Sequence, residues 1–75
     1  MARYHFNIAD GTEQSDPVGT ELDSLQQVRH EALRFSGEVL REMGDEFWDD
    51  TEWKLTVTDN AGAKVLTLKF SAETA

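Results

Sequence analysis

The chain has 75 residues, no cysteine and a formal net charge of −8 at pH 7. This length predicts a single domain, residues 1–75, near the lower size limit for folding, and the missing cysteines exclude disulfides and thiolate sites. The acidic charge argues against nonspecific binding to nucleic acids or anionic membranes. No apolar run reaches the roughly 18 residues of a membrane span. Because the first residues (MARYHFN) contain no apolar h-region, we expect a cytoplasmic protein without a secretory signal.

Residues 3–9 (RYHFNIA) alternate between polar and apolar side chains, which predicts a half-buried strand. Its covered face would hold Tyr4, Phe6 and Ile8. The dipeptide Asp10-Gly11 favours a tight reversal, so residues 12–15 are predicted to return as a short, polar strand at the sheet edge. Asp16-Pro17 would end that strand, since proline cannot donate to a strand ladder. Residues 18–21 are then predicted to be a connector.

The segment Leu22–Met43 has the periodicity of a long amphipathic helix. Its apolar stripe consists of Leu25, Val28, Ala32, Phe35, Val39 and Met43, widened on one flank by Leu33 and Leu40. Asp23 is predicted to cap the N-terminus, with Gln26 as the second member of a capping box, and Gly44 to follow the last turn. Gly37 lies outside the stripe and costs about 1 kcal/mol relative to alanine. A local bend and a close approach by another chain are both open explanations for it.

After the helix, residues 42–52 (EMGDEFWDDTE) carry six acidic side chains and no basic one around Phe47 and Trp48. We predict a loop or frayed turn whose aromatic residues close the end of the core. Residues 53–59 and 64–70 then alternate as two strands, joined by a turn with an aspartate at its start and a glycine at its end. Their inward side chains would be Trp53, Leu55, Val57, Leu66, Leu68 and Phe70, with Val65 facing outward.

The predicted element order is therefore ββαββ, an α+β fold. One-sided alternation in the long strands indicates a mostly antiparallel four-stranded sheet with one covered face and one open face. The long helix would pack on the covered face, giving two layers around one core. We expect the first strand and a later strand to be central.

Three blocks of the sequence together resemble one known family. They are RYHFNIADG at the start, GTELDSLQQVRHEAL at the entry to the helix and VTDNAGAKVLTLKF at the end. These blocks are similar to a domain-of-unknown-function family of small stand-alone bacterial proteins, common in alphaproteobacteria. The resemblance covers nearly the whole chain, although the acidic FWDD stretch is less typical of the family. It implies a fold and a small cytoplasmic protein, and it implies no activity, cofactor or catalytic residue.

The residues themselves offer no grouping for catalysis or metal binding. The only histidines, His5 and His30, are assigned to a strand's open face and the helix's polar face, so we expect neither a catalytic dyad nor a zinc site. The acidic residues 42–52 could offer oxygens to Ca²⁺, but their spacing does not match the EF-hand loop, which favours a solvated charge run. No serine lies in a nucleophile motif and no glycine-rich phosphate loop is present. The sequence therefore predicts no catalytic, cofactor or metal residue and favours a non-enzymatic protein.

The strand alternation places four basic residues on the open sheet face of an acidic protein. Lysines on exposed strands discourage edge-to-edge association, and this interpretation is favoured over a docking face for an acidic or polar partner. The candidate interaction face consists of Arg3, His5, Lys54, Lys69, Phe47 and Trp48. The leading hypothesis is a small interaction or regulatory module that binds itself as a homodimer or another protein. The alternative is an acidic, antitoxin-like inhibitor of a basic protein partner.

Overall fold

A computed structural model describes residues 2–11, 13–49 and 52–73. In chain order its elements are β1 (Ala2–Ala9), β2 (Glu13–Gln14), β3 (Thr20–Leu22), α1 (Leu25–Met43), α2 (Glu46–Asp49), β4 (Trp53–Asp59) and β5 (Lys64–Phe70). The α+β class, the antiparallel sheet and the single long helix are confirmed. The sheet has five strands where four were predicted.

The fifth strand, β3, forms where a connector was predicted. The sheet order is β2–β1–β4–β5, and β3 pairs with β1 on the same edge as β2. β2 lies beside the end of β1, with Ile8 opposite Gln14, whereas β3 lies beside its beginning, with Arg3 opposite Glu21. The prediction of a connector at residues 18–21 was therefore wrong for β3, where opposite charges at 3.2 Å favour the extended pairing. β1 and β4 are central, as expected, and β5 forms the other edge.

The helix begins three residues later than predicted. Leu22 still pairs with Ala2 in the sheet, so the chain turns into the helix only after that residue. Ser24, not Asp23, is the N-cap, and its side chain accepts a hydrogen bond from the Gln27 backbone N–H at 3.2 Å. Gln27 in turn accepts from the backbone N–H of Asp23, the residue before the N-cap, at 2.7 Å, so Ser24 and Gln27 replace the predicted pair Asp23 and Gln26. α1 ends at a glycine at position 44, as predicted.

The core lies between α1 and the two central strands. Its buried apolar side chains are Phe6, Ile8, Val28, Ala32, Trp53, Leu55 and Val57. The inward side chains of β5 are only half-buried, which indicates that α1 covers the middle of the sheet more than this edge. A register shift pairs Val57 with Leu66 and Thr58 with Lys64, which leaves Val65 as an extra residue. Val65 consequently packs against the core, where strict alternation had placed it facing outward.

Candidate interaction surface

Two of the predicted interaction residues, Arg3 and His5, lie on the open sheet face of β1 and contact the segment that links β2 to β3. The Arg3 guanidinium donates to the Val18 carbonyl at 2.7 Å and reaches the Glu21 carboxylate at 3.2 Å. The ring Nδ1 of His5 lies 2.8 Å from the Asp16 carbonyl oxygen. These two side chains therefore contribute to fixing the edge of the sheet.

The gap between β2 and β3 is filled by Asp16. Its carboxylate accepts hydrogen bonds from three backbone N–H groups: Phe6 at 3.2 Å, Val18 at 3.2 Å and Gly19 at 3.0 Å. Its own backbone N–H donates to the Asn7 side chain at 3.0 Å. Asp16 thus takes the place of an edge strand where none is present. Sequence analysis assigned it only the end of a strand, although a carboxylate three residues before a glycine is typical of a turn closed by its side chain.

The environment of Asp16 has two opposing effects on its pKa. Burial raises it, whereas the three backbone N–H donors, and to a lesser degree the charge of His5, lower it, so that the pKa lies below its usual value. Gly19 completes the corner with φ +76°, and a Cβ there would lie 2.9 Å from Cγ of Arg3 and 3.0 Å from the Tyr4 carbonyl oxygen. Only glycine fits this position, so the corner is closely packed.

The other two predicted basic residues, Lys54 and Lys69, are direct neighbours across β4 and β5. Lys54 lies 3.5 Å from the Glu52 carboxylate. Within the described ranges, no carboxylate lies in ion-pair distance of Lys69. Like charges directly opposite each other in a sheet are unfavourable, so this pair leaves a net positive charge beside the free edge of β5.

The predicted aromatic pair lies on α2, a single helical turn where a loop or frayed turn was predicted. The prediction that both rings close the end of the core is right for Phe47 and wrong for Trp48. Phe47 is half-buried and packs against the core, whereas Trp48 is 65% exposed. The two rings meet edge to face, with centroids 5.5 Å apart and planes at 80°. Asp45 and Glu46 beside them are exposed. Trp48 is therefore positioned by a half-buried neighbour that packs on the core, while most of its own surface stays in contact with water.

A groove between α1 and β5 (the α1–β5 groove) was not predicted as a site. It has a volume of about 310 Å³ and is lined by Arg29, Ala32, Leu33, Leu66 and Leu68. Leu33 is 61% exposed although it borders this apolar floor. The volume is at the lower end for ligand pockets, which suits one large side chain better than a whole cofactor. The sequence signal for the groove was the widening of the helix stripe at Leu33 on the flank that faces β5.

One basic residue, Arg29, lines this groove. Within the described part of the chain, no carboxylate lies within 4.0 Å of it. Lys64 and Lys69 are on the same edge strand, but they pair with Thr58 and Lys54 and lie on the open face of the sheet, opposite the groove. The groove of this acidic protein therefore combines an apolar floor with one unpaired positive charge.

The opposite flank of α1 is different, because its charges are paired. Arg34 bonds to Glu31 and reaches the Glu38 carboxylate at 2.8 Å. The hydrogen bond from Arg34 holds the pKa of Glu31 below its usual value, and the two carboxylates raise the pKa of Arg34. A second cleft of about 320 Å³ lies here against the Asp16 corner. Two charged residues that line this cleft, Arg34 and Glu31, already bond to each other. The cleft therefore offers a partner fewer unpaired charges than the α1–β5 groove.

The six predicted interaction residues therefore lie in three separate pairs, and their role in binding stays a prediction.

The acidic segment 42–52 falls partly outside the described residues. In the part that is described, no three histidine, aspartate or glutamate side chains come together in a way that could hold a metal ion.

Comparison with known proteins gives one match. A family model described as a domain of unknown function (DUF6894) matches residues 3–71. No curated protein and no solved structure matches the chain. Within the described ranges, no helix has both the length and the apolar character needed to cross a membrane.

Proposed function

Since the chain belongs to the DUF6894 family, a domain of unknown function, we propose its function from geometry: it is a small, non-enzymatic interaction module. The α1–β5 groove binds an aromatic side chain of an acidic protein segment. The observation that carries the proposal is the exposure of Leu33 beside the half-buried Leu66 and Leu68, next to Arg29, which has no ion-pair partner among the described residues.

The apolar floor supplies the affinity. Leu33 keeps 61% of its surface in water. Full burial of an apolar side chain of this size contributes about 1.5–3 kcal/mol, and covering the part of Leu33 that is still exposed contributes a share of that. An aromatic residue in the groove would remove Leu33, Leu66 and Leu68 from water together. Aromatic side chains are enriched among the residues that dominate binding energies, because they bury a large area in a fixed shape.

The charges supply the preference for an acidic partner. Arg29 lies in the groove, and no carboxylate of the described residues lies in ion-pair distance of it. Complementary charges raise association rates and exclude partners of the wrong sign. The chain as a whole carries a net charge of −8, so Arg29 gives the groove a local charge that is opposite to the overall charge and attracts an acidic segment.

A peptide titration tests this proposal. The probe is a short synthetic peptide with a Phe-Trp pair between carboxylates, and its control has lysines in place of the carboxylates. With isotope-labelled Trp48→Ala protein, which carries no exposed tryptophan of its own, we expect the acidic peptide to shift the NMR signals of Ala32, Leu33 and Leu68. Leu33→Gln should abolish these shifts, whereas Val18→Gln, at a residue 70% exposed near the opposite edge of the sheet, should retain them.

Two results would contradict the proposal. One is the absence of shifts at the groove at millimolar peptide. The other is a preference for the lysine peptide, which would favour the alternative function, an acidic inhibitor of a basic protein partner.

A further inference from the structure

We propose that the acidic segment that occupies the α1–β5 groove belongs to a second copy of this chain. In the resulting dimer, Trp48 of each protomer inserts into the groove of the other, beside Leu33 and Leu68. The inference rests on the proposed function, since it uses the same groove, and it identifies the partner.

The chain itself carries a segment with the required chemistry. Trp48 is 65% exposed and is the only exposed aromatic residue among the large hydrophobic side chains of the described part of the chain. Its ring lies against Phe47, which packs on the core. This contact restricts the Trp48 side chain before binding, so that less conformational entropy is lost when a partner covers it.

The charges around the two surfaces are opposite in sign. Asp45 and Glu46 lie exposed beside Trp48, whereas Arg29 lines the groove without an ion-pair partner among the described residues. Two copies with a net charge of −8 each repel one another at long range. Salt screens this repulsion beyond about 8 Å at physiological ionic strength, whereas charges in contact are screened much less. The contact of Asp45 and Glu46 with Arg29 is therefore a local attraction that opposes the overall repulsion.

Each chain carries both Trp48 and the α1–β5 groove, so the same contact can form twice between two copies. If each protomer gives its Trp48 and receives that of its partner, two equal contacts form around a two-fold axis and the assembly closes as a dimer. Each contact is small, and small interfaces are typical of weak, transient complexes. We therefore expect a dimer that forms at high micromolar concentration and dissociates on dilution.

Sedimentation equilibrium of the full chain tests the dimer. Trp48→Ala and Leu33→Gln change residues that are 65% and 61% exposed, so both variants should fold, and thermal melting checks this. Each is expected to raise the dimer dissociation constant by at least about tenfold, the effect of removing a central interface residue. Val18→Gln, at a residue 70% exposed outside both surfaces, should dimerise like the parent chain.

Mixing the two defective variants gives a sharper result. Trp48→Ala keeps its groove and Leu33→Gln keeps its tryptophan, so a mixed dimer regains one of the two contacts. We expect the mixture to contain more dimer than either variant alone. Such complementation cannot arise from a dimer interface that involves neither residue.

Two outcomes would overturn the inference. One is a parent chain that stays monomeric at millimolar concentration, and the other is a dimer unaffected by both variants. If the Trp48→Ala protein nevertheless binds the acidic peptide in its groove, the proposed function stands and only the second copy is excluded as partner. If the acidic peptide also fails to bind the Trp48→Ala protein, both the proposed function and the dimer are refuted.

Discussion

The carboxylate of Asp16 accepts a hydrogen bond from the backbone N–H of Phe6 at 3.2 Å, at the place where the edge of the sheet has no strand. A side chain from the linking segment thus satisfies a donor of a central strand. The same carboxylate closes the turn through Val18 and Gly19. This one residue therefore holds both the turn and its attachment to β1.

Replacing Asp16 with alanine is expected to destabilise the domain by on the order of 2 kcal/mol, because partly buried N–H donors lose their acceptor. Urea denaturation followed by fluorescence measures the change. Glu73→Ala removes an exposed carboxylate beyond β5 and should leave the unfolding midpoint unchanged. An Asp16→Ala variant as stable as the parent chain would refute the structural role of this carboxylate.

Because its pKa differs between the folded and unfolded states, the Asp16 carboxylate stabilises the fold in a pH-dependent way. Its folded pKa lies below the ordinary value of 3.8, so the charged form favours the folded state. Its stabilisation is complete above the unfolded pKa and is lost as the pH falls through the folded pKa. We therefore expect the difference in stability between parent and Asp16→Ala to be largest near neutral pH and to shrink in acid. A difference that stays constant from pH 7 down to pH 2 would contradict the pKa assignment.

Two glycine substitutions should change stability in opposite directions. Gly19→Ala should destabilise by about 2 kcal/mol, because it forces a side chain into a positive-φ position against Arg3 and Tyr4. Gly37→Ala should stabilise by about 1 kcal/mol, since a Cβ there meets no described atom within 4 Å and alanine is the better helix former. Thermal melting of both variants measures this. A destabilised Gly37→Ala would show that the helix needs glycine at this position.

The helix cap can be tested with two neighbouring substitutions. Ser24→Ala should cost about 1 kcal/mol, because it removes the side-chain acceptor for the Gln27 N–H. Asp23→Ala should have little effect, since Asp23 takes part in the cap through its backbone N–H. Chemical denaturation of the pair distinguishes them. A larger loss of stability in Asp23→Ala than in Ser24→Ala would show that Asp23 caps the helix, as predicted from the sequence.

Ser36 is a buried polar residue on the covered face of α1. Its side chain is fully buried, and its hydroxyl has no hydrogen-bond partner among the described residues. An unsatisfied buried hydroxyl costs roughly 1–3 kcal/mol. Ser36→Ala is therefore expected to raise the free energy of unfolding by about 1 kcal/mol, measured by urea denaturation. A loss of stability instead would mean that this hydroxyl has a partner.

Local patterns were sufficient for the regular elements. Strict alternation predicted β1 and β4 with their inward faces, and the helical stripe predicted all of α1 but placed its start three residues too early. β3 could not be predicted in this way, because three residues carry no periodicity and their pairing depends on Asp16, Arg3 and Glu21 meeting across the turn.

The site was harder to predict than the fold. Trp48 was identified because an aromatic residue in an acidic segment is visible in the sequence. The α1–β5 groove depends on how far α1 extends across the sheet, which no local pattern records. The one sign of the groove in the sequence was Leu33, an apolar residue at the margin of the apolar stripe of α1.

Accessibility of Trp48 to a quencher tests the central claim most directly. The chain has two tryptophans, of which Trp53 is 1% exposed and Trp48 65% exposed, so acrylamide reports mainly on Trp48. We predict strong quenching in dilute protein and weaker quenching at high protein concentration, with Leu33→Gln quenched strongly at both. Equal quenching of the parent chain at low and high concentration would contradict the insertion of Trp48 into the groove of a second copy.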